Sequence, residues 1–169
     1  MNPHPIIPTR QDLARLLFHG TGAELGVAAG AFSACMLESS GITTLYAIDR
    51  WTDHHDLREY FKACHQLRRL AGAAFVLRMT FAEACPLFPD EHFDFLYIDG
   101  YAHTGQEGGQ TLHDWWPKLK PGGIFAGHDY SPQYPLTVQA VDQFVAAHGL
   151  TLNLTTEDKL PSWWCHKLP

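Results

Sequence analysis

The chain has no surplus of positive charge: 12 lysines and arginines stand against 18 aspartates and glutamates, a formal charge of −6 over 169 residues. A general nucleic-acid binder or an anionic-membrane binder needs a positive field to approach phosphates, so neither partner is expected. The neighbours Arg68 and Arg69 do not overturn this, because on a helix end such a pair simply complements the dipole. Long apolar runs are missing, so no window approaches a membrane span, and MNPHPIIPTR lacks the apolar centre of a secretory leader. The four cysteines, Cys35, Cys64, Cys85 and Cys165, are widely spaced and form no C-x-x-C pair. Among apolar or helical neighbours they read as buried thiols rather than zinc ligands or a disulfide framework. A reducing, cytoplasmic compartment is therefore the expectation. Repeats, low-complexity tracts and linkers are absent too, and residues 1–169 read as one domain.

What is present is alternation. The start TRQD at Thr9 resembles a capping box, and Leu13, Leu16 and Leu17 form the stripe of a helix stopped near Gly20. Strands are expected at 23–27, 44–49, 75–79, 93–99 and 123–127, with PGG turning into the last of them. Helical patterns separate them, and a helix over 136–149 is closed by Gly149. LTLNLTT and SWWCHKL then alternate as two strands able to pair antiparallel. Five β–α units followed by a hairpin predict an α/β doubly wound fold. Its sheet would be mostly parallel and seven-stranded, with helices on both faces.

In such sheets ligands bind beyond the carboxyl ends of the strands, where strand order reverses. That rule selects Gly26 to Gly30, Asp49, Thr80, Asp99, and His128 with Asp129. The turn GAELGVAAGAFS lacks the G-x-G-x-x-G of a dinucleotide site, since Glu24 and Ala29 take two of the glycine positions. Glu24 would repel a pyrophosphate and attract a cationic ligand. Asp49 closes strand 2 where an acid accepts hydrogen bonds from ribose hydroxyls. The competing reading of Asp49 is a helix N-cap, a role that Thr52 or Asp53 could equally fill.

With E-x-G-x-x-x-G at 24–30, the acid Asp49 and the terminal hairpin, the chain resembles the class I S-adenosylmethionine-dependent methyltransferases. The stretch from FDFLYIDGYAH to PGGIFAGHDY is similar to a narrower group of small methyltransferase domains that carry IDG…H and GHDY segments. The resemblance implies a Rossmann-like fold and S-adenosylmethionine as cofactor. Glu24, Gly26 and Gly30 would meet its amino-acid part and Asp49 its ribose, and Asp99 is a further cofactor-binding candidate. Trp51 and Phe81 would flank its adenine, with Thr80 near the edge. Each aromatic reads equally well as a packing residue.

Asp99, His128 and Asp129 should converge just beyond the methyl donor, and their reading stays open three ways. They hold a divalent cation such as Mg²⁺ or Mn²⁺ that acidifies a substrate hydroxyl. Alternatively His128 or His103 is a general base. The plainest reading has Asp129 and Tyr130 capping a turn while His128 packs. A histidine ligand suits Mn²⁺, Fe²⁺ or Zn²⁺ better than Mg²⁺. His54 and His55 read as solvent-facing and Asp114 as structural. The expected reaction is O-methylation of a small molecule bearing a hydroxyl. A NAD-dependent oxidoreductase and a non-catalytic cofactor-binding module are the rival readings. Without a long insertion, either a second subunit of a homodimer or the 101–110 and 130–136 loops must complete the pocket.

Overall fold

The structure is a computed structural model and describes residues 6–38, 41–52, 55–70 and 73–168. Its seven strands are β1 (Gly20–Leu25), β2 (Ile42–Asp49), β3 (Ala73–Arg78), β4 (Phe93–Ile98), β5 (Leu119–Gly127), β6 (Asn153–Leu154) and β7 (Trp163–His166). They form one sheet in the order β3-β2-β1-β4-β5-β7-β6. Pairings among β1 to β5 are parallel, while β5–β7 and β6–β7 are antiparallel. This is the doubly wound α/β fold that the alternation predicts, in the Rossmann-like arrangement that the resemblance implies. Strand order reverses between β1 and β4.

The helices are α1 (Arg10–Leu17), α2 (Ala31–Glu38), α3 (Leu57–Leu67), α4 (Phe81–Ala84), α5 (Gly105–Gly108), α6 (Gln110–Trp115) and α7 (Pro135–Ala147). Period-two alternation sorts the buried side chains of the sheet. Phe95, Tyr97, Ala126 and Trp164 pack with Leu13, Met36 and Leu67 from α1, α2 and α3 on one face. Leu96, Ile98, Phe125 and Trp163 pack with Ala84, Leu112 and Phe144 from α4, α6 and α7 on the other. Among the described residues no helix is long and apolar enough to cross a membrane.

Several boundaries differ from the sequence pattern for local reasons. PGG lies inside β5: the register jumps from Phe93↔Leu119 to Phe95↔Ile124, so Pro121 to Gly123 form an irregularity in the strand. The cap of α3 is Asp56, whose carboxylate accepts from the backbone N–H of Arg58 and Glu59. Thr52 does not fill that role, and Asp53 and His54 lie outside the described residues. α5 is a left-handed turn, with φ +52 at Gln106 and +56 at Glu107.

Candidate active site

The strand ends converge on a cavity of about 630 Å³, within the ordinary range for small-ligand sites. Its wall includes Glu24 and Gly26 from β1, Asp49 from β2, Thr80 and Phe81 beyond β3, Asp99 beyond β4 and Asp129 beyond β5. A separate, open groove of about 670 Å³ runs along α3 beside Arg58, Phe61 and Lys62 and contains none of these strand-end groups. Non-glycine residues in left-handed backbone border the cavity: Ala28 (φ +49), Tyr101 (φ +60) and Asp129 (φ +61). Strain of this kind persists where the surroundings over-determine it, as they do at binding sites.

Gly26 shows why the first turn needs glycine. Its φ is +98, and a Cβ there would come within 2.2 Å of the Asp99 carbonyl oxygen. The chain leaving β1 therefore touches the chain leaving β4. Gly30 (φ +84) differs from the expectation, because it does not line the cavity. A Cβ on it would meet Ala63 Cα at 3.0 Å, so this glycine serves the approach of α2 to α3.

Asp49 ties the turn together. Its Oδ2 accepts from the N–H of Val27 (2.9 Å) and Ala28 (3.0 Å), and its Oδ1 from the N–H of Trp51 (3.2 Å). The carboxylate shapes the loop after β1 as well as facing the cavity. Trp51 corrects the sequence-based expectation: its side chain is 1% exposed and absent from the cavity wall. The indole N–H donates to the Ala28 carbonyl at 2.8 Å, and the ring packs edge-on to Tyr60. A ring with no free face buttresses the turn and does not stack on a ligand.

Phe81 keeps its place in the wall, packed edge-on to Tyr101 at 4.9 Å and lying over Gly100. Thr80 also lines the cavity, but its hydroxyl is engaged in a capping box with Glu83. His55, read from sequence as solvent-facing, instead lines the cavity and pairs with Glu59 at 2.6 Å.

Glu24 is 1% exposed and accepts a short hydrogen bond from the Ser33 hydroxyl. Burial pushes its carboxyl well above the usual carboxylate range, against the opposing pull of Ser33. A cationic ligand would restore the charged form.

Beyond β4 and β5 one nitrogen or oxygen each from Asp99, His128 and Asp129 lies within 4.8 Å of the others. His128 Nδ1 is 2.9 Å from Asp129 Oδ1 and 3.5 Å from Asp99 Oδ1. Burial lowers the basicity of His128, but the Asp129 contact and the Asp99 charge outweigh it and hold its pKa above the ordinary value. Burial likewise pushes Asp99 up, against the pull of His128 and Arg10. Asp99 and Asp129 face the cavity, whereas His128 does not line it. His103 lines it on the loop after β4, edge-on to Tyr134 at 5.3 Å, and is not one of the trio.

The sequence profile of a family described as a methyltransferase domain matches residues 23–130. The chain belongs to this methyltransferase-domain family. A methyltransferase domain on this fold is a class I S-adenosylmethionine-dependent methyltransferase, and the match sets aside the oxidoreductase reading.

Three solved structures share the methyltransferase fold at low identity. An O-methyltransferase from Bacillus cereus, in complex with S-adenosylhomocysteine, is 15% identical with a TM-score of 0.73, covering 99% of this chain and 84% of that one. A S-adenosylmethionine-dependent O-methyltransferase from Thermotoga maritima is 14% identical with a TM-score of 0.67, covering 95% and 63%. The N-methyltransferase NodS from Bradyrhizobium japonicum, also with S-adenosylhomocysteine, is 15% identical with a TM-score of 0.64, covering 88% and 78%. No protein of curated function matches the sequence.

Arg10 escaped the sequence reading. It opens α1, lines the cavity and places Nη1 3.2 Å from Asp99 Oδ2. The available signal was its position: a cation at a helix N-terminus opposes the dipole and calls for a compensating anion.

Proposed function

We propose that this methyltransferase domain transfers the methyl group of S-adenosylmethionine to a hydroxyl oxygen of a small molecule. The observation that carries the reading is that Asp99 and Asp129, in the wall of the same cavity that Glu24, Gly26 and Asp49 border, cluster with His128, which stands behind that wall. Methyl transfer from a sulfonium needs little covalent help, so the chain aligns donor and acceptor and excludes water. A hydroxyl, unlike an amine, gains from a group that removes or weakens its hold on the proton.

One imidazole and two carboxylates with donor atoms this close fit a divalent cation. Asp99, His128 and Asp129 would hold Mn²⁺ or Mg²⁺, which supplies positive charge that acidifies a hydroxyl. Asp99 has an oxygen for each neighbour: Oδ2 faces Arg10 and Oδ1 faces His128. A metal-free reading has its own support. The two carboxylates make a neutral His128 a stronger proton acceptor than a free imidazole, and His103 in the wall is the alternative base.

The loops after β4 and β5 contribute Tyr101, Ala102, Thr104 and Tyr134 to the wall, which supports an acceptor side built within one chain. A homodimer that adds to it is a proposal for light scattering to decide. None of the four cysteines forms a disulfide, which supports a cytoplasmic setting.

The test is transfer of a tritiated methyl group from S-adenosylmethionine to a library of hydroxyl compounds, with and without chelator. Transfer that EDTA abolishes and Mn²⁺ or Mg²⁺ restores is the expected result. Transfer indifferent to EDTA would remove the cation and leave His128 or His103 as base. Cofactor binding with no turnover on any compound would favour a non-catalytic module.

A further inference from the structure

The cavity wall is strongly acidic, carrying Glu24, Asp49, Glu59, Asp99 and Asp129. That suits the sulfonium and the ammonium of S-adenosylmethionine but not its single anionic group, the α-carboxylate of the methionine end. A carboxylate placed among these acids is repelled unless a cation meets it.

Two arginines line the cavity, Arg10 and Arg50. Arg50 follows Asp49 at the end of β2. Arg10 stands at the β1–β4 switch point instead, with Nη1 3.2 Å from Asp99 Oδ2 and its guanidinium 4.8 Å above the Phe32 ring. Its side chain, which also has a hydrogen bond with Tyr97, is 28% exposed and lines the cavity. The backbone N–H of Arg10 donates to Asp158 Oδ2 at 2.8 Å, which fixes the base of the side chain.

We propose that Arg10 receives the α-carboxylate of the methionine end of S-adenosylmethionine while Asp99 and Glu24 receive its ammonium. The proposal rests on the reading of this cavity as the cofactor site. A guanidinium offers five N–H donors in a fork that matches a carboxylate bidentately. Before binding, Arg10 and Asp99 neutralise each other across the switch point. On binding, the zwitterion inserts between them: each charged side chain exchanges one partner for another, and neither is left buried and unpaired. This also accounts for a cation at the first position of α1, where the dipole disfavours it. Arg10 is thus a positioning residue that sets where the sulfonium sits along the cavity.

The decisive measurement is calorimetry of wild type, Arg10→Gln and Arg10→Lys with three probes. S-adenosylhomocysteine carries both charged groups, decarboxylated S-adenosylmethionine keeps the ammonium, and 5′-methylthioadenosine has neither. Arg10→Gln should weaken S-adenosylhomocysteine on the order of 10- to 100-fold. It should leave methylthioadenosine within a few-fold, and Arg10→Lys should fall between. Decarboxylated S-adenosylmethionine, which has no carboxylate for Arg10 to meet, should bind Arg10→Gln at least as tightly as wild type. An equal loss for all three probes would overturn the proposal, since that is what general damage to the site produces. An unchanged affinity for S-adenosylhomocysteine would overturn it too. Wild-type protein that binds none of the probes would instead reject the cofactor-site reading itself.

Discussion

Asp129 Oδ1 lies 2.9 Å from Nδ1 of His128, although consecutive residues at the end of a strand ordinarily point to opposite sides. The reason is local: Asp129 has φ +61, a left-handed conformation that aspartate tolerates better than most residues. Backbone strain is thus traded for a carboxylate turned back onto the imidazole, within reach of Asp99.

This trio gives a prediction about metal and pH. Mn²⁺ binding, read from the electron paramagnetic resonance of the free ion, should be lost or weakened on the order of 100-fold in Asp99→Asn and Asp129→Ala. The sign of its pH dependence follows from His128, whose pKa is raised. A proton held there competes with the cation, so affinity should rise as pH climbs through that raised value. Mn²⁺ affinity flat between pH 6 and 9 would argue that His128 is not a ligand.

Glu24 predicts an opposed pair of effects. Its pKa in the fold lies well above its unfolded value, so its contribution to stability is fully present below about 4.5 and is lost as pH rises through the raised value. Glu24→Gln should therefore unfold at a higher temperature than wild type at alkaline pH, with the gap closing in acid. The same variant should bind S-adenosylhomocysteine more weakly. Wild-type binding should release a proton, detectable by calorimetry in buffers of different ionisation enthalpy. Reduced thermal stability of Glu24→Gln at every pH would show that the Ser33 contact outweighs the burial of charge.

Asp49 carries two roles, and they separate by measurement. Asp49→Ala removes three backbone hydrogen bonds, each worth about 1.5–3 kcal/mol when an ionised group accepts it. Both the melting temperature and the affinity for S-adenosylhomocysteine should fall. A loss of affinity at unchanged melting temperature would make Asp49 a ligand-facing group only.

Trp51 is predicted to act through the turn alone. Trp51→Phe keeps the ring against Tyr60 and loses the bond to the Ala28 carbonyl, a cost of about 1 kcal/mol in stability. Cofactor affinity should change by no more than a few-fold. A loss well beyond tenfold would restore the stacking role.

Sequence alone determined the fold, because the signals that specify it are local. Apolar period, Gly26 at a turn and alternating hydrophobics at the end of the chain each report on a few neighbours, and together they predict a mostly parallel, seven-stranded sheet closed by an antiparallel hairpin. It also determined which residues reach the carboxyl edge, since that follows from where each strand stops: Glu24, Asp49, Asp99 and Asp129 all lie where the pattern puts them. Tertiary structure decided what those residues do there. Trp51 looks the same in sequence whether it stacks on a ligand or seals a turn, and its 1% exposure is a product of α3 packing against it. Gly30 faces Ala63 across 33 positions, and Arg10 meets Asp99 across 89. No local period encodes such encounters. They arise only when the tertiary fold brings distant elements together, and that same packing sets the proton affinities: burial raises that of Glu24, while the nearby carboxylates of Asp99 and Asp129 raise that of His128 against its burial.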